Sequence, residues 1–237
     1  MISLFRKLVL IGVFCLVLAG FGVIAYIIQR AQDPEQYLIK ALVDENQNIT
    51  KAFFAPDDDL KSLLINLIAA EKKRIVVAIY TLTYKDIAQA FISAHKRGIQ
   101  VECVVDPGYG GDRYSKVSLL ANDKIPVWAY QTGTDREASL MHNKFCVFED
   151  NIMNKTIVWT GSYNFTVRAT ARNQENVLIV DNKRVTEQYL KQFEVLKTRS
   201  LLISGPQGAY RARSIKQDFD ATGLQSLWKE IRKWLPL

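Results

Sequence analysis

The chain holds two histidines. One of them, His142, stands two residues before Lys144 in the stretch MHNKFCVFE at 141–149. On an extended strand side chains alternate between faces, so His142 and Lys144 project from the same side. An imidazole that can attack or move a proton, set beside a permanent ammonium, suits an anionic reaction centre and above all phosphorus. GSYN follows at 161–164 and NQEN at 173–176. Ser162 and Asn164 can donate hydrogen bonds to a phosphoryl oxygen and, with Lys144, stabilise charge that develops in a transition state. Gly161 lets the backbone approach a ligand closely where the apolar run TIVWT ends. Glu175 is a candidate to orient His142, because a carboxylate on one ring nitrogen fixes the tautomer and frees the other nitrogen to attack.

Other polar residues have plainer readings. Asn173 and Asn176 could shape a turn ahead of the run NVLIV. Cys103 and Cys146 lie inside apolar strands and read as core, and His95, in the basic stretch AHKRG, reads as a surface residue ahead of a strand. Arg113, Arg136, Arg168 and Arg172 could each hold a flanking phosphate or simply be solvated charges. Tyr163 could stack on a substrate or pack in the core. No ligand set with recognisable metal spacing occurs, neither HExxH nor CxxC, so no metal or other cofactor is expected. The three acids Asp57, Asp58 and Asp59 precede LKSLLINLIAAEKK and read as the cap and charge of a helix N-terminus.

The spacing HxKxxxxE, then GSxN, then NQEN resembles the phospholipase D superfamily, whose signature is HxKxxxxD followed by GSxxN or GSxN. Members with one such motif per chain, the bacterial Nuc-type endonucleases and the mitochondrial cardiolipin hydrolases, are the more similar. The resemblance covers roughly residues 50–198 and takes in IVVAIYTLTYKDIAQAF and AHKRGIQVECVVD. It implies that His142 attacks phosphorus to form a phosphohistidine while a second histidine protonates the leaving oxygen. One departure is Glu149 where the family has Asp, a carboxylate whose family role is mainly structural. Because the chain has one motif and no internal repeat, the resemblance implies a symmetric homodimer, with His142, Lys144 and Asn164 of each subunit meeting their copies.

Elements must bring these residues together. The chain alternates strand and helix: a strand near 50–55, helix 58–72, strand 74–82, helix 84–97, strand 99–106, helix 113–122 and strand 125–130. Motif strands at 141–149, 156–163 and 176–181 follow, and helix 183–198 closes the unit. This reads as an α/β fold with a mixed sheet flanked by helices. The catalytic domain is expected over 49–198, after a polar, partly helical connector at 31–48. Loops at 107–114 and 131–139 leave strand ends and would border the substrate path.

Residues 8–28 carry no charge over 21 positions, about 32 Å as a helix at roughly 1.5 Å per residue. Residues 1–30 therefore read as an uncleaved membrane anchor. Arg6 and Lys7 before the span place the N-terminus inside and the catalytic domain on the extracytoplasmic side. The basic tail at 199–237 ends in a stretch with Leu224, Leu227, Trp228, Ile231 and Trp234 at helical spacing, which would lie on a membrane or pack on protein.

A net charge of +7 suits polyanions, so both nucleic acid and anionic phospholipid are open as substrates. Three functions follow: a metal-independent endonuclease on DNA or RNA, a phospholipase D acting on lipids such as cardiolipin, and a silent phosphate-binding scaffold.

Overall fold

The run RIVVAI is apolar at consecutive positions, the pattern of a strand covered on both faces. It forms β2 (Arg74–Ile79), inside an eight-stranded sheet. The computed structural model describes residues 33–110, 113–131 and 140–203. The other strands are β1 (Thr50–Ala55), β3 (Gln100–Val105), β4 (Val127–Tyr130), β5 (Lys144–Phe148), β6 (Ile157–Gly161), β7 (Glu175–Val180) and β8 (Ser200–Leu202). Their order across the sheet is β1-β7-β6-β5-β2-β3-β4-β8. β2, β3 and β4 run parallel, and the other neighbours are antiparallel. The expected mixed α/β sheet is the one that forms.

Helices cover both faces: α1 (Pro34–Leu42), α2 (Leu60–Ala70), α3 (Lys85–Lys96), α4 (Pro107–Gly110), α5 (Val117–Asn122), α6 (Val167–Ala171) and α7 (Lys183–Thr198). Alternate residues of the central strands serve opposite cores. Ile75, Val77 and Ile79 pack with Leu38, Leu64, Leu67, Phe91 and Leu120 of α1, α2, α3 and α5, whereas Val76 and Ala78 pack with Phe193 and Leu196 of α7. Cys103 and Cys146 both pair with Val77 from either side and are buried, so burial pushes the Cys103 thiol up to about 12. They are core residues, as their apolar surroundings in the sequence imply.

Capping explains where the helices begin. The Asp59 carboxylate accepts from Ser62 N at 3.0 Å and from Ser62 Oγ at 2.6 Å, and Asp58 accepts from Phe54 N at 2.7 Å. These acids thus shape the entry to α2. Asn182 caps α7 in the same way, accepting from Val185 N at 3.1 Å. α3 stops at Gly98, whose φ of 93° suits a residue without a Cβ.

Two segments differ from expectation. Residues 34–42 do more than connect: Leu38 and Leu42 of α1 are buried against α2, and Ile49 joins the same core. The sheet also continues past residue 198, because β8 pairs antiparallel with β4.

The expected single-pass membrane location is corrected. Among the described residues no helix is long and apolar enough to cross a membrane. The span at 8–28 on which that expectation rested lies outside the described residues, as do the amphipathic stretch at 224–234, Arg136 and most of the 131–139 loop.

Candidate functional site

One end of the sheet collects the motif residues. β2 and β3 finish there, β5 and β7 start there, and β6, antiparallel to both of the latter, also finishes there. Lys144 therefore lies opposite Ile79, and Gly161 opposite Val177. Residues 162–166 are tied to the exit of β2: Phe165 N donates to the Thr81 carbonyl at 3.0 Å, and Thr83 N and Tyr84 N both donate to the Phe165 carbonyl at 2.9 Å. Strand pairing thus brings His142, Lys144, Ser162, Asn164 and Glu175 to the same edge, although Ser162 and Glu175 are far apart in sequence.

His142 precedes β5 and is exposed. Its ring meets Tyr80 edge to face, with centroids 4.4 Å apart. The Lys144 ammonium sits 4.9 Å from the same Tyr80 ring and donates to the His142 carbonyl at 2.8 Å. The two residues do gather on one side, with Tyr80 as their common support. Lys144 is only 7% exposed. Burial pulls its pKa below the ordinary lysine value, against an opposing pull from the Glu175 carboxylate.

Glu175 is held from two directions. Its Oε2 accepts from Ser162 Oγ at 2.5 Å and its Oε1 from Asn173 Nδ2 at 2.9 Å. Ser162 Oγ in turn accepts from Asn176 N at 3.0 Å. Ser162 has one proton, and that proton goes to Glu175 rather than outward to a phosphoryl oxygen. Each Glu175 oxygen accepts one of these bonds, and the carboxylate pulls on the Lys144 ammonium through its charge. Asn173 is an anchor for Glu175 as well as a turn residue.

Asn164 is uncommitted: its Oδ1 is buried and has no hydrogen-bond partner. An unpaired buried acceptor costs about 1–3 kcal/mol. Gly161 faces protein. A Cβ there would lie 2.1 Å from the Asn176 carbonyl oxygen, so the close approach it permits is by β7, whose Glu175 and Asn176 are thereby seated on Ser162.

Two residues escaped the reading of the sequence. Asp106, directly after β3, is 2% exposed; its Oδ2 accepts from Met141 N at 3.1 Å and its Oδ1 from Gly108 N at 2.9 Å. It therefore clamps the residue preceding His142. Its signal was an acid at the exit of an apolar strand, where ligand sites in α/β sheets gather. Tyr80 carries a similar signal at the exit of β2.

The remaining candidates sort by place. Arg168 and Arg172 are exposed and line, with Val167, Ala171 and Asn173, an open cavity of about 510 Å³. Arg113 stacks on Tyr114 with 4.4 Å to the ring centroid. Tyr163 is core: it is fully buried, shares a 2.5 Å hydrogen bond with Thr170, and burial raises its hydroxyl to about 12. Glu149 lies at the opposite end of the sheet, paired with Arg74 at 2.8 Å and Lys73 at 3.0 Å. Arg74 also bonds Glu102 and Glu194. A glutamate can serve in this network because it meets cations that reach it across neighbouring strands.

An α/β sheet thus gathers an imidazole, a buried ammonium and a serine-bound carboxylate at one edge. Residues 64–197 match the family described as cardiolipin synthase, PLD-like domain, and the chain belongs to that family, within the phospholipase D superfamily. Among relatives, the chain is 30% identical over 139 residues to a mitochondrial cardiolipin hydrolase of Xenopus tropicalis, covering 59% of this chain and 61% of that protein. It is 31% identical over 147 residues to a phospholipase D of Rickettsia prowazekii (strain Madrid E), covering 62% and 67% respectively. Among solved structures, Nuc of Salmonella typhimurium, a phospholipase D family member, aligns with a TM-score of 0.59 at 24% identity, over 67% of this chain and 99% of Nuc. NucT of Helicobacter pylori aligns with a TM-score of 0.59 at 24% identity, over 65% and 99%. These two show the fold.

Proposed function

We propose that the chain is a metal-independent phosphodiesterase in which His142 attacks phosphorus, with nucleic acid as the substrate. A His142 ring nitrogen forms the bond to phosphorus as the bond to the leaving oxygen breaks, and a second histidine gives that oxygen its proton. Water then cleaves the phosphohistidine, returning both histidines to their starting states. Lys144 holds the charge on the non-bridging oxygens, Asn164 supplies a further polar contact, and Glu175 keeps Lys144 charged while Ser162 fixes Glu175. The carrying observation is the buried Lys144 ammonium beside the exposed His142 imidazole.

The second histidine comes, in this reading, from another copy of the chain. His95 sits in the last turn of α3, which leads into the start of β3, the end of the sheet away from His142. A homodimer that joins two copies of His142 meets the need.

The net charge of +7 favours a polyanionic polymer. The second reading, hydrolysis of phospholipid, is favoured by the names of the relatives above. The full chain and its His142→Ala variant, assayed in EDTA against labelled single-stranded DNA and RNA and against cardiolipin and phosphatidylcholine vesicles, separate the two. Cleavage of nucleic acid that vanishes in the variant is expected. Lipid hydrolysis alone would replace the first reading with the second, and turnover that persists in His142→Ala would remove the nucleophile.

A further inference from the structure

Several cations of the described structure are neutralised locally. Arg74, Lys73, Lys96, Lys155 and Lys197 are tied to carboxylates. Arg168 and Arg172, among the described residues, have no carboxylate partner, yet they line one cavity.

That cavity adjoins the motif residues by covalent and hydrogen-bonded links. α6 begins directly after the Asn164 turn, where Thr166 N donates to the Asn164 carbonyl at 2.8 Å and Thr166 Oγ1 caps the helix through Ala169 N at 3.0 Å. At its other wall stands Asn173, whose side chain donates to Glu175. The cavity is therefore one hydrogen bond removed from the Ser162–Glu175 pair. Ala169 is buried and fixes the helix, so Arg168 and Arg172 are carried on an anchored element.

A guanidinium presents a planar set of donors that matches phosphate oxygens. Two of them in a recess of about 510 Å³ provide more positive charge than the reacting phosphoryl group requires, since Lys144 already serves that group. We infer that Arg168 and Arg172 form a second phosphate subsite, which selects substrates carrying another phosphate in the same molecule as the scissile one. The inference rests on the phosphodiesterase reading and deepens it. Two sources share this chemistry: the neighbouring phosphate of a polynucleotide and the second phosphate of a lipid such as cardiolipin.

The test uses the full chain as wild type, as Arg168→Ala with Arg172→Ala, and as Arg168→Lys with Arg172→Lys. Three hydrolysis probes are compared: bis(p-nitrophenyl) phosphate, which has one phosphate; a fluorescein-labelled oligothymidylate; and cardiolipin vesicles set against phosphatidylcholine vesicles. The double alanine variant is expected to lose at least tenfold more kcat/KM on the oligonucleotide, or on cardiolipin, than on the single-phosphate ester. The loss should appear in KM, with the lysine variant recovering part of it. Whichever polyphosphate probe shows the loss names the source. Equal losses on all probes, or none, would overturn the subsite.

Binding of the same oligonucleotide and vesicles gives a reading independent of turnover. Removing the two arginines should reduce the slope of log affinity against log salt by about 1 for the probe that uses the subsite. An unchanged slope for both overturns the inference. Failure of the underlying reaction scheme shows separately, as ester hydrolysis that survives His142→Ala.

Discussion

Lys144 is the residue whose environment says most about the chemistry. Burial lowers its pKa while Glu175 opposes that shift, so in the proposed mechanism activity should fall on the alkaline side before the ordinary lysine range is reached. The sign for stability is opposite. A folded-state pKa below the unfolded one means the unfolded chain binds more protons between the two values, so stability rises with pH across that window. A pH profile of kcat/KM with an alkaline limb, beside a melting profile that does not fall there, is the expected pair of results. Lys144→Ala should lower kcat about 10²- to 10³-fold, the range for losing one donor to developing charge. Gly161→Ala should destabilise by about 1–3 kcal/mol, because the new methyl must displace the Asn176 carbonyl of the neighbouring strand rather than a flexible side chain. It should also weaken activity, since the displaced backbone holds Ser162 against Glu175; a melting temperature equal to wild type would refute it. At this scale spacing in the sequence singled out His142, Lys144 and Glu175, and the sheet carries them to one end. The sequence could not reveal that Ser162 faces Glu175, because that contact arises from β6 pairing with β7, nor that Gly161 accommodates protein backbone.

At the level of elements, each end of the sheet has its own buried acid. Asp106 joins the exit of β3 to Met141 at the end that carries the motif residues, whereas Glu71 (3% exposed) works at the other. Glu71 Oε1 accepts from Lys73 N and Arg74 N at 3.0 Å and from Asp150 N at 2.9 Å, and Oε2 accepts from Asn151 Nδ2 at 3.1 Å. It joins the α2–β2 link to the turn after β5. The two acids should separate stability from activity. Glu71→Ala leaves buried donors unmatched, at about 1–3 kcal/mol for each group left without a partner, and should lower the melting temperature by several degrees while the folded fraction keeps its kcat. Asp106→Asn keeps one acceptor oxygen where Met141 N and Gly108 N need two, so an amide NH2 must face one of them and the seating of residues 141–142 loosens; kcat should fall further than KM changes. A kcat loss in the folded Glu71 variant as large as in Asp106→Asn would contradict this division. The strands were legible because runs such as RIVVAI and ENVLIV are long and apolar, and α7 because Asn182 and the helical period mark its limits. β8 was missed because three residues, SLL, carry no period; the 31–48 connector was read as partly helical, but the polar residues around Leu38 and Leu42 hid the two buried positions of α1.

For the molecule as a whole, the arithmetic of histidines sets the decisive test. His142 and His95 are the only two in the chain, and α3 holds His95 at the end of the sheet opposite the motif residues. Its Nδ1 is buried without a partner, which further unsuits it as an acid exchanging protons with substrate. A single copy therefore offers one histidine to a reaction that, in the proposed scheme, requires two. If two copies complete the site, the active species should sediment at twice the 27.0 kDa of the chain. Activity per chain should then fall in proportion to the dimer population on dilution, and restore on reconcentration. The complementary measurement mixes active chains with an excess of His142→Ala chains, which traps each intact His142 in a heterodimer that has lost one of the two roles. Activity should drop well below that of the same active chains alone. An unaltered rate per active chain, on dilution and on mixing alike, would place the complete reaction in one copy and require a proton donor other than histidine.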